Sequence, residues 1–222
     1  LILLNLVALC FLINHTTAQS SFIKKYSFSN DYEYSYLNLI KSTNDGGWVT
    51  INRHFSNLHY RTISIVKFKP DGDVQWKKSY ELDSASLWAT GRFDVPNFRI
   101  SSLYITSDNN ILNAGFCDAY NQEGNSFHAK LDPNGNFIWI KYFDYSFGGG
   151  VIGELTDGNY FIVGGTPPDL PFGVPSNSSI TKLDKSGNTL WEKEYHKNSF
   201  TGPIPTNDGN ILCVSGSNVY KI

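Results

Sequence analysis

Carboxylates, imidazoles and glycine-rich turns are the parts of this 222-residue chain that could do chemistry. A glycoside hydrolase needs two carboxyls held across a sugar. The candidates are Glu154, Glu33, Asp31 and Asp94, with Arg92 and Arg99 near the last. Glu154 lies in a short strand whose counterparts elsewhere carry Ser42, Ile105 and Pro205, so no ring of acids is built. The histidines His15, His54, His59, His128 and His196 include no HxH or HxxxH pair, the spacings that bring two imidazoles to one metal. No GxSxG elbow is present, and no cysteine pairs with a histidine on spacing alone. The turns DPNGN at Asp132 and DKSGN at Asp184 are rich in oxygen, but a calcium loop spreads its ligands over about twelve residues and ends in a bidentate acid. These turns run at once into an apolar strand and read as hairpins. Gly148, Gly149 and Gly150 are followed by neither Lys-Ser/Thr nor a helical pattern, so they read as a turn and not a phosphate cradle. The sequence therefore assigns no catalytic, cofactor-binding or metal-ligating residue.

What positions these residues is a repeat. One cassette reads KFKPDGDVQWKKSY from Lys67 to Tyr80, KLDPNGNFIWIKYF from Lys130 to Phe143, and KLDKSGNTLWEKEY from Lys182 to Tyr195. A second precedes it: NDGGWVTI from Asn44, SDNNILNAG from Ser107, TDGNYFIVGG from Thr156 and NDGNILCVSG from Asn207. The tryptophans Trp76, Trp139 and Trp191 recur at intervals of 63 and 52 residues, and Asp45, Asp108, Asp157 and Asp208 at 63, 49 and 51. The longer first interval is assigned to a surface insertion, Ser84 to Pro96, which carries Trp88. In the third unit four strands are expected, Val151–Leu155, Tyr160–Gly164, Ser179–Leu183 and Thr189–Tyr195, with Asp157-Gly158 and Ser186-Gly187-Asn188 at the reversals. The last strand alternates Trp191, Lys193 and Tyr195 on one face with Leu190, Glu192 and Glu194 on the other. No ten-residue stretch shows a helical period.

A four-stranded unit of this size has two faces to cover, and stacking successive units supplies the core. The expected fold class is therefore all-β, a β-propeller built of four-stranded antiparallel blades. Its blades span about 31–83, 97–144, 148–195 and an incomplete 200–222. Residues 21–26 form an outer strand, because Phe22, Lys24 and Tyr26 match the Trp-x-Lys-x-aromatic pattern. The recurring tryptophans are expected in the core at blade interfaces, and Trp88 is the aromatic available to a partner. Lys221-Ile222 matches Lys182-Leu183, which leaves two readings, a four-bladed ring closed by residues 21–26 or an incomplete arc of a larger ring. The second is the expectation.

The formal charge of −2, with 15% aromatic and 17% charged residues, gives no electrostatic footprint for nucleic acid. The opening LILLNLVALCFLI followed by NHTTAQS reads as residues 1–18 of a signal peptide entered part-way, with Thr16 and Ala18 before a cut at Gln19. An apolar stretch of thirteen residues is too short to span a bilayer comfortably, and no later segment has the pattern of a membrane helix. Residues 19–222 are then the exported part. Cys10 leaves with the signal, Cys117 and Cys213 read as small buried groups, and Asn177-Ser178-Ser179 is a glycosylation sequon.

The KLDxxGNxxWxK and TxDGGYxVxG units resemble those of secreted β-propeller proteins of Bacteroidota, which often end in a sorting tail for outer-membrane export. The resemblance covers about residues 21 to 222 and implies a secreted or outer-cell-surface protein, without an activity. A looser similarity links the cassettes to tryptophan-docked quinoprotein-like propellers. The Gly-to-Trp spacing of four is kept, but Asp132 and Asp184 stand one residue closer to the glycine than in that family. The expected function is a non-enzymatic exported propeller, binding a protein or glycan or serving as a structural segment beside further domains of a longer chain. The alternatives are the propeller domain of a secreted glycan hydrolase or lyase, and a quinoprotein-like redox domain. No cofactor is assigned.

Overall fold

The cassettes fold as tight antiparallel hairpins because each Asx-Gly turn closes on itself before the next β-branched run begins. The computed structural model describes residues 34–55, 62–80, 97–119, 122–143, 150–165, 178–196 and 199–222; of 34–38, 53–55, 62, 97–99, 116–119, 122–125 and 143 it describes the backbone alone. Four sheets follow one another along the chain, each a simple meander. The first holds β1 (Tyr34–Ser42), β2 (Trp48–Phe55), β3 (Thr62–Phe68) and β4 (Val74–Tyr80). The second holds β5 (Asn97–Ile105), β6 (Ile111–Ala119), β7 (Gln122–Leu131) and β8 (Phe137–Phe143). The third holds β9 (Val151–Glu154), β10 (Tyr160–Gly165), β11 (Ser178–Leu183) and β12 (Thr189–Tyr195). The fourth has three strands, β13 (Thr201–Pro205), β14 (Ile211–Ser215) and β15 (Asn218–Lys221). The strands expected for the third unit agree with those observed to within one residue.

The sheets stack face to face. Val49, Ile51, Ile63 and Ile65 of the first pack on Ile100, Ile111, Phe127 and Leu131 of the second. Leu112 and Ala114, on the second sheet's far face, pack on Ile152, Tyr160 and Ile162 of the third. Phe161, Val163 and Ile180 then meet Phe200, Ile211 and Cys213 of the fourth. The central strands are therefore buried on both faces, which is why β10 reads as a run of apolar residues without alternation. The first strands are neighbours in series, β1 beside β5, β5 beside β9 and β9 beside β13. Meander sheets packed through their faces with first strands along a common axis are the blades of a β-propeller. Among the described residues no comparable contact joins β13 to β1. The expected signal peptide, the outer strand 21–26 and the insertion with Trp88 lie outside the described residues.

One core position departs from its repeat. His128 pairs across the sheet with Ala114 and so faces the third blade, where Ile65 and Ile180 stand in the neighbouring units. It is buried, and burial pushes its imidazole down to about pKa 3. The folded form thus refuses a proton that the unfolded chain accepts near pH 6.5, and stability falls as pH drops below that value toward 3, by about 1.4 kcal/mol per unit. His128→Ile is expected to remove this slope. Urea unfolding at pH 5 should show the variant gaining about 2 kcal/mol on the parent relative to their difference at pH 8. Equal pH slopes in the two proteins would refute the assignment.

Candidate functional site

Two linkages recur wherever the cassettes meet. The first joins the aspartate in the turn after each blade's first strand to a lysine near the end of its third strand. Lys67 Nζ donates to Asp45 Oδ1 at 2.6 Å and to Thr43 Oγ1 at 2.5 Å. Lys182 donates to Asp157 Oδ2 at 2.6 Å, Lys221 to Asp208 Oδ2, and Lys130 lies 3.6 Å from Asp108 Oδ2. Thr43, Thr106 and Thr206 each donate to the aspartate two residues on, fixing its rotamer. The ammonium groups of Lys67, Lys182 and Lys221 hold the carboxyls of Asp45, Asp157 and Asp208 below the usual carboxylate range, Asp45 at about 2. Lys67 is the deepest of these lysines, its side chain 3% exposed against 54% for Lys221.

Lys130 differs in reaching forward. Its ammonium donates to the Tyr160 hydroxyl of the next blade at 2.7 Å and lies 5.3 Å from the centre of that ring. Tyr160→Phe removes the acceptor from a buried ammonium whose own-blade carboxylate is already distant. It is expected to lower stability by about 1–2 kcal/mol in denaturant unfolding. A change under a few tenths would show that Asp108 suffices.

The second linkage joins each blade to the next through a tryptophan. Trp76 Nε1 donates to the Pro133 carbonyl at 3.0 Å, and Trp139 Nε1 to the Lys185 carbonyl at 3.1 Å. The rings lie over Gly135 and Gly187, whose φ angles are +77° and +79°. Two residues on, Lys78 donates to Asn136 Oδ1 at 2.6 Å and Lys141 to Asn188 Oδ1 at 3.4 Å, and Tyr80 donates to the Gly135 carbonyl at 2.5 Å. Trp76 and Trp139 thus sit at blade interfaces as expected. Trp191 does not: it is 42% exposed, because no turn of the next blade lies over it among the described residues.

Among the described residues, several groups that could otherwise have reacted are engaged in turns and blade contacts. Both carboxylate oxygens of Asp132 and of Asp184 accept bonds from within their own turns, from Asn134 and Asn136 and from Ser186 and Asn188. Glu154 stands half-buried on the rim, held by the Ser107 backbone N–H at 2.6 Å and the Ser107 hydroxyl at 3.0 Å, so it ties the second blade to the third. Gly150 accepts from the Ser101 hydroxyl at 3.2 Å, while Gly148 and Gly149 lie outside the described residues. Cys213 is a buried free thiol, pushed up to about pKa 11 by burial. A small pocket of about 20 Å³ between the first two blades, lined by Ile63, Ile65, Ile100 and Phe127 with Tyr80 and Asn113 beside them, has room for a water. Among the described residues no three His, Cys, Asp or Glu side chains gather as for a metal ion. Asp31, Glu33, His15, His59, Trp88, Arg92 and Asp94 lie outside the described residues, as do the side chains of His54, Arg99 and Cys117.

The fold and its contacts define the class, a β-propeller whose blades are joined in series. No protein-family model matches the chain, and no curated protein does. Solved structures similar to it include a protein of unknown function from Bacteroides caccae, 13% identical, with 83% of this chain covering 54% of that one at a TM-score of 0.48. An acylaminoacyl peptidase from Pyrococcus horikoshii is 12% identical, with 86% of this chain covering 32% of that one at 0.44. The Dos1 propeller is 11% identical, with 81% covering 52% at 0.36. The chain spans about half, or a third, of the length of these structures.

Proposed function

We propose that this chain is part of an exported, non-enzymatic β-propeller protein of the kind its repeats resemble in Bacteroidota, holding a protein or glycan at the cell surface or in the medium. One observation carries the reading. The recurrent polar side chains are engaged in binding turn to strand and blade to blade, and Glu154, the acid of the first-strand series, is engaged in the same way. Recognition then falls to the loops on the scaffold. Export is tested by N-terminal sequencing of the product in medium and outer-membrane fractions, which is expected to begin at Gln19. The non-enzymatic reading is tested by incubating the purified protein with a panel of soluble polysaccharides and assaying new reducing or unsaturated ends. Retention of a polysaccharide without its cleavage supports the reading. Cleavage that Glu154→Gln abolishes would replace it with the hydrolase or lyase reading.

A further inference from the structure

The glycine turns of this chain share one backbone shape and differ in how they are covered. Gly46, Gly158 and Gly209, in the turns after first strands, have φ between +76° and +81°, and each is exposed or half-buried. Gly135 and Gly187, in the turns before fourth strands, have φ of +77° and +79° and are buried, because the rings of Trp76 and Trp139 lie on them. Gly72, with φ +85°, holds the same place in the first blade and is buried too. Burial extends from this turn across the sheet. Val49 and Ile51 face the second blade, so Thr50 and Asn52 of β2, with Ser64, Val66 and Phe68 of β3, face away from it. Those five are at most 4% exposed, although among the described residues the sheet packed against this blade lies on its other face.

We propose that this face is the docking site of residues 22–26, which set an aromatic ring on Gly72 as Trp76 and Trp139 do on the next two blades. The side chains match the receiving turn position by position. At the turn 132–136 the Trp76 ring covers Gly135, Lys78 donates to Asn136 Oδ1 and Tyr80 donates to the Gly135 carbonyl. Phe22, Lys24 and Tyr26 repeat that spacing. Residues 69–73 repeat that turn, the Lys69 N–H donating to the Asp73 carbonyl as the Asp132 N–H does to that of Asn136. Lys24 then meets Asp73, a carboxylate where the later turns offer Asn136 and Asn188, so this junction is held by an ion pair. Phe22 has no N–H to give the Pro70 carbonyl, and the ring contact, the ion pair and the Tyr26 hydroxyl carry the docking. The connection is long enough. From Phe22 to Ser42 the chain runs 20 residues, against 15 from Trp139 to Glu154 and 29 from Trp76 to Ile105. The stretches 56–61 and 81–96 leave this blade at Phe55 and Tyr80, the end of the sheet away from Gly72. A second copy's β12 carries the same pattern in Trp191, Lys193 and Tyr195, but Gly72 is already buried within the single chain.

The test uses the full chain. Zero-length carbodiimide coupling at low protein concentration, read by mass spectrometry of tryptic peptides, is expected to join Lys24 to Asp73. Coupling of Lys182 to Asp157, 2.6 Å apart, serves as the internal standard. Phe22→Ala is expected to lower protection of the Gly72 amide from exchange by about tenfold or more, while Gly135 and Gly187 keep theirs and report an intact fold. Lys24→Asp is expected to lower it as well, and Asp73→Lys in the same chain to restore most of it. Unchanged Gly72 protection in Phe22→Ala overturns the proposal, as does coupling of Lys182 to Asp157 without coupling of Lys24 to Asp73. A Lys24–Asp73 product that joins heavy and light chains in an isotopic mixture also overturns it and makes the occupant a second copy. Gly72 protection that falls in Trp191→Ala and not in Phe22→Ala does the same and makes the occupant another copy's β12.

Discussion

Gly135→Val is expected to lower stability by about 4 kcal/mol, the largest effect of any single substitution described here. Two costs add. The backbone at Gly135 has φ +77°, a region a β-branched residue enters only under strain. A Cβ there would also stand 2.8 Å from Cη2 of Trp76 and 2.9 Å from the Tyr80 hydroxyl. The indole cannot simply retreat, since its N–H is tied to Pro133 and Tyr80 is tied to the Gly135 carbonyl. Lifting the ring therefore breaks two hydrogen bonds that join the first blade to the second. Gly135→Ala meets the same φ with less bulk and is expected to cost about half as much. Chemical denaturation of the pair measures both. Equal losses would mean that the strained backbone and the Cβ contact, both of which alanine shares, account for the whole cost, and a loss under 1 kcal/mol for valine would mean that the ring does not rest on this turn.

Asp45→Ala is expected to cost about 3 kcal/mol, whereas Lys67→Met, at the other end of the same ion pair, is expected to cost about 1 kcal/mol or less. The asymmetry follows from burial. The Lys67 side chain is 3% exposed and the Asp45 side chain 45% exposed. Removing the carboxylate strands an ammonium in the interior with only the Thr43 hydroxyl beside it. Removing the ammonium leaves a carboxylate that water already reaches. Protonating Asp45 is milder than deleting it, because a carboxylic acid still fills the space and still hydrogen-bonds. Its folded pKa of about 2 lies below the unfolded value near 4, so the pair contributes fully above pH 4 and is lost as pH falls toward 2. With allowance for the solvent that screens a half-exposed group, that loss is about 1 kcal/mol. It falls at lower pH than the His128 slope, so Asp45→Ala and His128→Ile should flatten different parts of one acid titration. Equal costs for Asp45→Ala and Lys67→Met would show that burial does not decide which partner matters.

The strands, the hairpin turns and the interface role of Trp76 and Trp139 were legible because each is written in a local pattern repeated in register. The aspartate–lysine linkage was half legible. Both residues recur, but the separation between partners is 22, 25 and 13 residues in different blades, depending on the loop between the second and third strands, so spacing does not pair them. Aligning the units on their turns would have done so, since every blade has an Asp in the turn after its first strand and a Lys near the end of its third. The same alignment places His128 opposite Ile65, Ile180 and Val219 and marks it as an imidazole in a hydrophobic position. Trp191 was expected in the core because it shares the register of Trp76 and Trp139, but burial is a property of a residue and its neighbour, and among the described residues no turn lies over it. Glu154 was assigned to a first strand, as observed, but its grip on Ser107 depends on how two blades meet and left no local signature.

Trp76 and Trp139 each lean on a turn of the blade ahead, and this gives the stack a grain. Loss of the fourth sheet would strip cover from the third, whose last turn holds Trp139; loss of that turn would free the second, whose turn holds Trp76. Disorder entering at the carboxyl-terminal sheet thus travels backward one blade at a time, each step loosening the anchor of the one before. Under tension the molecule should behave as a fastener that opens readily from one end and resists from the other.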